Sequence, residues 1–148
     1  MIGSKLGGQF FYSMPVFNST EQFYKVTKML FDRVQEQNPS AAADLESSKI
    51  IIRFNTTNPT AVLVLNGRRH PAEVSYGENR VRPEVDVNMA ADTLHKILLG
   101  ELGLAKALSS KALRVRGPMR KTLRVADLFH QCQNYYPDIL RKEGLLEV

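Results

Sequence analysis

Between Val85 and Gly117 the hydrophobic period switches from two to the helical spacing of three and four and back to two, and no other stretch restricts the fold so far. Val85, Val87 and Met89 alternate with Asp86 and Asn88, the pattern of a strand with one apolar and one polar face. Leu94, Ile97 and Leu98 then fall at helical spacing. Gly100 breaks that helix where a left-handed backbone is easiest, and Leu102, Leu104, Ala105 and Leu108 make a second short apolar segment. Leu113 to Arg116 returns to strand. Each element has one face to bury, so a sheet and a helical layer must pack together.

The rest of the chain supplies both layers. Ser19 and Gln22 fit a capping box, after which Phe23, Val26, Thr27, Leu30, Phe31 and Val34 recur at helical spacing through about Gln37. Asn38-Pro39 reads as a cap with proline at the first helical position, opening a short helix through Ala41, Ala42, Ala43 and Leu45. Lys49 to Asn55, Thr60 to Asn66 and Ala72 to Tyr76 read as an antiparallel meander, separated by Asn58-Pro59 and Asn66-Gly67. Val81 to Met89 is the fourth strand, with Pro83 requiring an edge or bulge at its start. After Arg116, Val125, Leu128, Phe129 and Cys132 mark another amphipathic helix that Pro137 is expected to stop, with a further turn through Ile139 and Leu140. The order is that of an α+β fold, helices gathered on one face of a mainly antiparallel sheet.

The succession Val85-Asp86-Val87-Asn88-Met89, Leu98-Leu99-Gly100-Glu101-Leu102, Ala105-Lys106-Ala107 and Leu113-Arg114-Val115-Arg116-Gly117 resembles the sterol carrier protein type 2 family. Its domains carry a Val-x-Phe/Val-x-Met strand, a short helix ending at Gly, an Ala-containing helix and a strand like Gly-Lys-Leu-Lys-Ile-x-Gly-Asp. Lys111, Ala112 and Pro118 stand where that last motif has Gly, Lys and Asp, so the entry and exit of this strand are shaped differently. By order of elements the resemblance runs from Val16 to Tyr136. It implies a five-stranded mixed sheet with a crossover between the last two strands, which a crossover of this length would make parallel neighbours, and helices enclosing an apolar tunnel.

At 148 residues and 43% hydrophobic residues the chain can form one full core. Residues 1–15 read as a flexible leader, with Met14 an alternative start, and 16–148 as the domain. No stretch has the apolar length of a membrane span, and Met1 to Ser13 lacks the apolar core of a signal peptide, so a cytoplasmic location is expected. The single Cys132 excludes an internal disulfide. The net charge of +5 is concentrated: from Leu102 to Ala126 stand Lys106, Lys111, Arg114, Arg116, Arg120, Lys121 and Arg124 without an acid. Such a run is either a solvated face or a contact for anionic head groups. Nucleic acid is not expected, because no recognition motif accompanies it.

Catalytic chemistry is thinly represented. His70, His95 and His130 do not pair at metal-ligand spacing, and His130-x-Cys132 falls short of four zinc ligands. Ser109-Ser110-Lys111 lacks a Ser-x-x-Lys geometry and reads as a polar helix end. No phosphate loop is present. Asp86 and Asp127 are dispersed, with solvated roles expected for both.

The resemblance therefore implies a non-catalytic lipid carrier or lipid-sensing domain for fatty acyl, sterol or similar apolar ligands, with no cofactor and no metal. Its tunnel would be lined by Met89, Leu94, Ile97, Leu98, Leu102, Leu104, Leu108, Phe129, Cys132 and Tyr136, softened by its methionines. Arg116, Arg120, Lys121 and Arg124 would meet a head group or an anionic membrane surface, and Val125 to Tyr136, taken as the terminal helix, would be the lid. Two rivals stand beside it: an accessory domain presenting lipophilic intermediates to a partner enzyme, and a protein-interaction module whose core is filled.

Overall fold

The computed structural model describes residues 15–145. The leader expected over residues 1–15, apart from Pro15, lies outside them, as does the alternative start at Met14.

Helix α1 (Thr20–Gln37) begins where expected: the Ser19 hydroxyl accepts from the Gln22 N–H at 3.1 Å. The reciprocal arm reaches one residue further back, the Gln22 side chain accepting from the Asn18 N–H at 2.7 Å. Phe23, Val26, Leu30 and Val34 are buried, each such side chain contributing about 1.5–3 kcal/mol by leaving water. Phe31, on the same expected stripe, is only half-buried. Helix α2 (Pro39–Ser48) follows with Pro39 in its first turn, where a missing N–H costs nothing. It buries no residue completely.

Five strands follow the sequence pattern closely: β1 (Ile51–Thr57), β2 (Ala61–Asn66), β3 (Glu73–Tyr76), β4 (Val85–Ala90) and β5 (Leu113–Arg116), in the order β3-β2-β1-β4-β5. β4 starts two residues after Pro83, so no ladder bond is lost and neither bulge nor edge is needed. β1, β2 and β3 form the expected antiparallel meander, and β4 lies parallel to β1.

The last two strands correct an expectation. β4 and β5 are neighbours but antiparallel, with Met89 opposite Leu113 and Asp86 opposite Arg116. Helices α3 (Ala91–Leu98) and α4 (Leu104–Ser109) join them. Eight helical residues advance only about 12 Å, and Gly100, at φ +77°, turns the chain back before it has crossed the sheet. β5 therefore enters at the end where β4 left off.

Helix α5 (Met119–Gln133) is not the terminal element. Pro137 opens α6 (Tyr136–Lys142) instead of stopping α5, and Tyr136, Ile139 and Leu140 are buried there, α6 packing against α1 and α5. The core lies on the helical face of the sheet, where Ile52, Phe54, Leu63, Leu65, Val85, Val87, Met89 and Leu113 meet α1, α3, α5 and α6. The opposite face is largely polar, with Ile51 and Val64 its buried apolar members. There Arg53 donates to Asp86 at 2.7 Å and Asn55 donates at 2.6 Å, so Asp86 is held and not merely solvated. The hydrogen bond from Arg53 is the main cause holding its carboxyl below the usual carboxylate range.

Candidate functional site

A cavity of about 210 Å³ opens between α1, α2, the inner face of β1–β3 and α5. Its floor is apolar: Val34 from α1, Ile52 from β1, Leu65 from β2 and Val74 from β3. Ala41, Ala42 and Leu45 roof it from α2, and Phe31 of α1 and Leu128 of α5 complete its apolar lining. The rim carries Gln35, Asp44, Ser48, Arg124, Asp127, His130 and Gln131. An apolar floor with a polar rim is the arrangement that takes an apolar body and leaves a polar head near water.

The cavity exists because of what α2 carries and where it is held. Alanines cannot fill the space beneath them, and the helix is tied down at both ends. At its start Asn38 donates to Gln131 of α5. Near its end Glu46 accepts from the Ala72 N–H and pairs with His70 Nδ1, each at 2.8 Å. The Ala72 bond is the first cause of a Glu46 carboxyl lowered below its ordinary value. Beyond these ties, Gly67 lets α2 approach the β2–β3 turn: a Cβ there would lie 2.3 Å from the Leu45 carbonyl oxygen. The roof is thus fixed at a height its side chains do not bridge.

None of the ten residues expected to line a tunnel borders this cavity. Met89, Leu94, Ile97, Leu98, Phe129, Cys132 and Tyr136 are buried in the core. Leu102 and Leu104 pack partly buried against it, and Leu108 is 47% exposed. Leu94, Leu98, Phe129 and Cys132 instead surround a second void of about 20 Å³ beside the cavity. The basic run disperses as well. Arg116 projects from β5 on the polar face of the sheet opposite Asp86, Lys121 pairs with Glu84, Arg120 is exposed, and Arg124 reaches the cavity rim. The Lys121 bond is the main cause lowering the Glu84 carboxyl. Sequence reading missed the α2 roof, Phe31 and Leu128; the run Ala41–Ala43 over a helix anchored by proline was the available signal.

A second hollow, on the polar face, is bounded by Arg53, Asn55, Val62, Glu78, Asn79 and Arg80. Its lining offers little to an apolar ligand, and Arg53 is committed to Asp86. The nucleophile candidates are occupied structurally: Ser109 and Ser110 donate to the carbonyls of Lys106 and Ala107 in the last turn of α4. Cys132 is buried while its neighbour His130 is exposed, and burial pushes the thiol up to about 12. Among the described residues no group of three His, Cys, Asp or Glu could hold a metal ion, and no helix is long and apolar enough to cross a membrane.

Residues 31–130 match the model of the SCP-2 sterol transfer family. The architecture is shared with solved structures of the sterol carrier protein domain 2 of Helicoverpa armigera (19% identity, 75% of this chain and 87% of that one, TM-score 0.60). It is shared also with the apo form of sterol carrier protein 2 from Yarrowia lipolytica (18%, 70% and 89%, 0.54) and with the UbiJ-SCP2 ubiquinone synthesis protein (17%, 72% and 87%, 0.53). At these identities the likeness establishes the fold alone. No curated protein sequence matches the chain.

Proposed function

The chain belongs to the SCP-2 sterol transfer family, and from that premise we propose that it binds an elongated apolar lipid in the cavity between α2 and α5 without chemical change. The observation that carries this reading is the apolar-floored, polar-rimmed cavity of about 210 Å³. All of its lining except Gln131 falls within the segment that matches the family. Burying a chain there gains about 0.8 kcal/mol per methylene, less the cost of ordering the ligand. No covalent step is needed, which agrees with hydroxyls and a thiol engaged in helix ends and core. The domain comprises residues 16–148 on this reading.

Arg124 at the rim, with exposed Arg120 and the 61% exposed Leu123 between them, supports contact with a head group or an anionic membrane surface. Arg116 and Lys121 would contribute through the field of the same region, since Asp86 and Glu84 already face them. The same cavity would serve an accessory role toward a partner enzyme; what differs is whether an enzyme travels with the protein.

Native mass spectrometry of the purified protein before and after organic extraction tests the reading. Retained lipid, or saturable displacement of a fluorescent fatty acid by unlabelled chains after extraction, is expected. A protein that carries none and binds none is a filled-core interaction module. Co-purification of an enzyme with lipid-loaded protein would select the accessory role.

A further inference from the structure

Two side chains belong to both internal spaces. Phe31 of α1 and Leu128 of α5 line the 210 Å³ cavity and also the 20 Å³ void beyond it, whose other walls include Phe54, Leu94, Leu98 and Phe129. A dry apolar space of about 150 Å³ accommodates a benzene ring, so the outer cavity alone holds only a short piece of a long chain. The inner void is the size of about one water, yet its walls present no polar surface to hold one. Its one polar side chain, Thr27, already donates its hydroxyl to the Phe23 carbonyl at 2.9 Å. It is a packing gap placed directly behind two half-buried side chains.

The helix that carries Leu128 is held on both sides of it. At its C-terminal end Gln133 donates to the Ile97 carbonyl at 2.9 Å and Tyr136 of α6 is buried. Its N-terminal half leaves Arg120, Leu123 and Arg124 exposed but is held by the Lys121–Glu84 pair and by Val125 in the core. The backbone is thus fixed on both sides of Leu128. Phe31 and Leu128 are only half-buried, so each can change rotamer without opening the helices.

We propose that Phe31 and Leu128 form a gate between the two spaces, and that a long ligand passes its tail between them to reach Leu94, Leu98 and Phe129. This rests on the lipid-binding reading and adds what sets the longest chain the protein accepts. The gate would also bring into the site the wall residues that the sequence pattern singles out, which in the closed arrangement belong to the core.

Displacement of a fluorescent fatty-acid analogue by octanol, dodecanol and octadecanol tests it, using the ratio of octadecanol to octanol affinity so that general effects on binding cancel. Leu128→Trp, which blocks the passage, should bring this ratio toward one. Phe31→Ala, which widens it, should raise the ratio, by about fourfold for each further methylene admitted, the equivalent of 0.8 kcal/mol. If Leu128→Trp does not fold, the Phe31→Ala ratio decides alone. Unchanged ratios in proteins that still bind octanol overturn the gate and leave the lipid reading standing. An original protein that binds no chain of any length overturns both.

Discussion

One sheet face carries two different interiors. Over β4 and the adjoining part of β1, helices α1, α3, α5 and α6 set Leu30, Ile97, Phe129, Tyr136 and Ile139 into a core whose members are buried to a few per cent exposure or less. Over β2 and β3, α2 sets Ala41 and Ala42 with a single larger apolar side chain, Leu45, and a cavity remains. Strand residues of the same kind, Ile52 and Leu65 against Val85 and Val87, form the floor in both halves. The contrast teaches that the roof decides: interiors are close-packed only where facing side chains are long enough to meet. Hollow space under α2 persists because its ties to Gln131, Ala72 and the Gly67 turn stop it from sinking.

The sharpest break between the halves should come from Leu98→Asp. An unpaired carboxylate in the filled half should unfold the domain, read as loss of the cooperative thermal transition by circular dichroism. Ile97→Ala is the milder version and should cost about 2–5 kcal/mol in denaturant unfolding. Leu104→Asp, at a partly exposed position of α4, should leave the protein folded; an equal loss there would erase the distinction.

Filling the hollow half should act in the opposite direction. Ala41→Leu should keep or raise stability, by about 0.5–2 kcal/mol as cavity-filling changes do, while lowering the amount of fatty-acid analogue bound at saturation. A destabilised variant with unchanged binding would mean that the roof is already full.

Acid should weaken the filled half through His95, which shares a 2.8 Å hydrogen bond with the Tyr136 hydroxyl. Burial is the main cause lowering the imidazole from its ordinary value of 6.5, opposed by the charges of Glu101 and Asp92 and helped by Lys96. The unfolded chain therefore takes up the proton first as pH falls. This contribution is complete above about pH 6.5 and is lost as the pH drops through the lower folded value. The melting temperature should decline over that interval, less steeply in His95→Gln; identical slopes would mean that His95 does not carry the decline.

The smallest effect belongs to the rim. Arg120→Gln with Arg124→Gln should leave stability unchanged and slow delivery of bound lipid to anionic vesicles, each charge contributing about 1 kcal/mol at a membrane surface. Added salt should slow the original protein likewise. Equal rates on neutral and anionic vesicles would reduce these cations to solvation.

The patterned parts of the molecule were legible in the sequence. Helical spacing from Phe23 to Val34 and alternation from Val85 to Met89 reflect one buried face per element, a local property written in consecutive residues. Ser19 with Gln22, and Gly100 at its positive φ, mark a start and a turn for equally local reasons. The cavity was not legible, because its lining comes from six separate elements and its volume depends on a distance between layers. Leu94 and Phe129 look like wall or core alike to a periodicity argument; only the placement of neighbouring helices distinguishes them.

What the sequence determined by itself is therefore the set of elements, their buried faces and the α+β class, since each follows from short-range periods and caps. Tertiary structure alone decided that β5 runs antiparallel to β4, that the basic run disperses, and that the open space lies under α2. These are consequences of how far short helices reach and how closely α2 can approach the β2–β3 turn at Gly67, quantities fixed when residues distant in sequence are brought together.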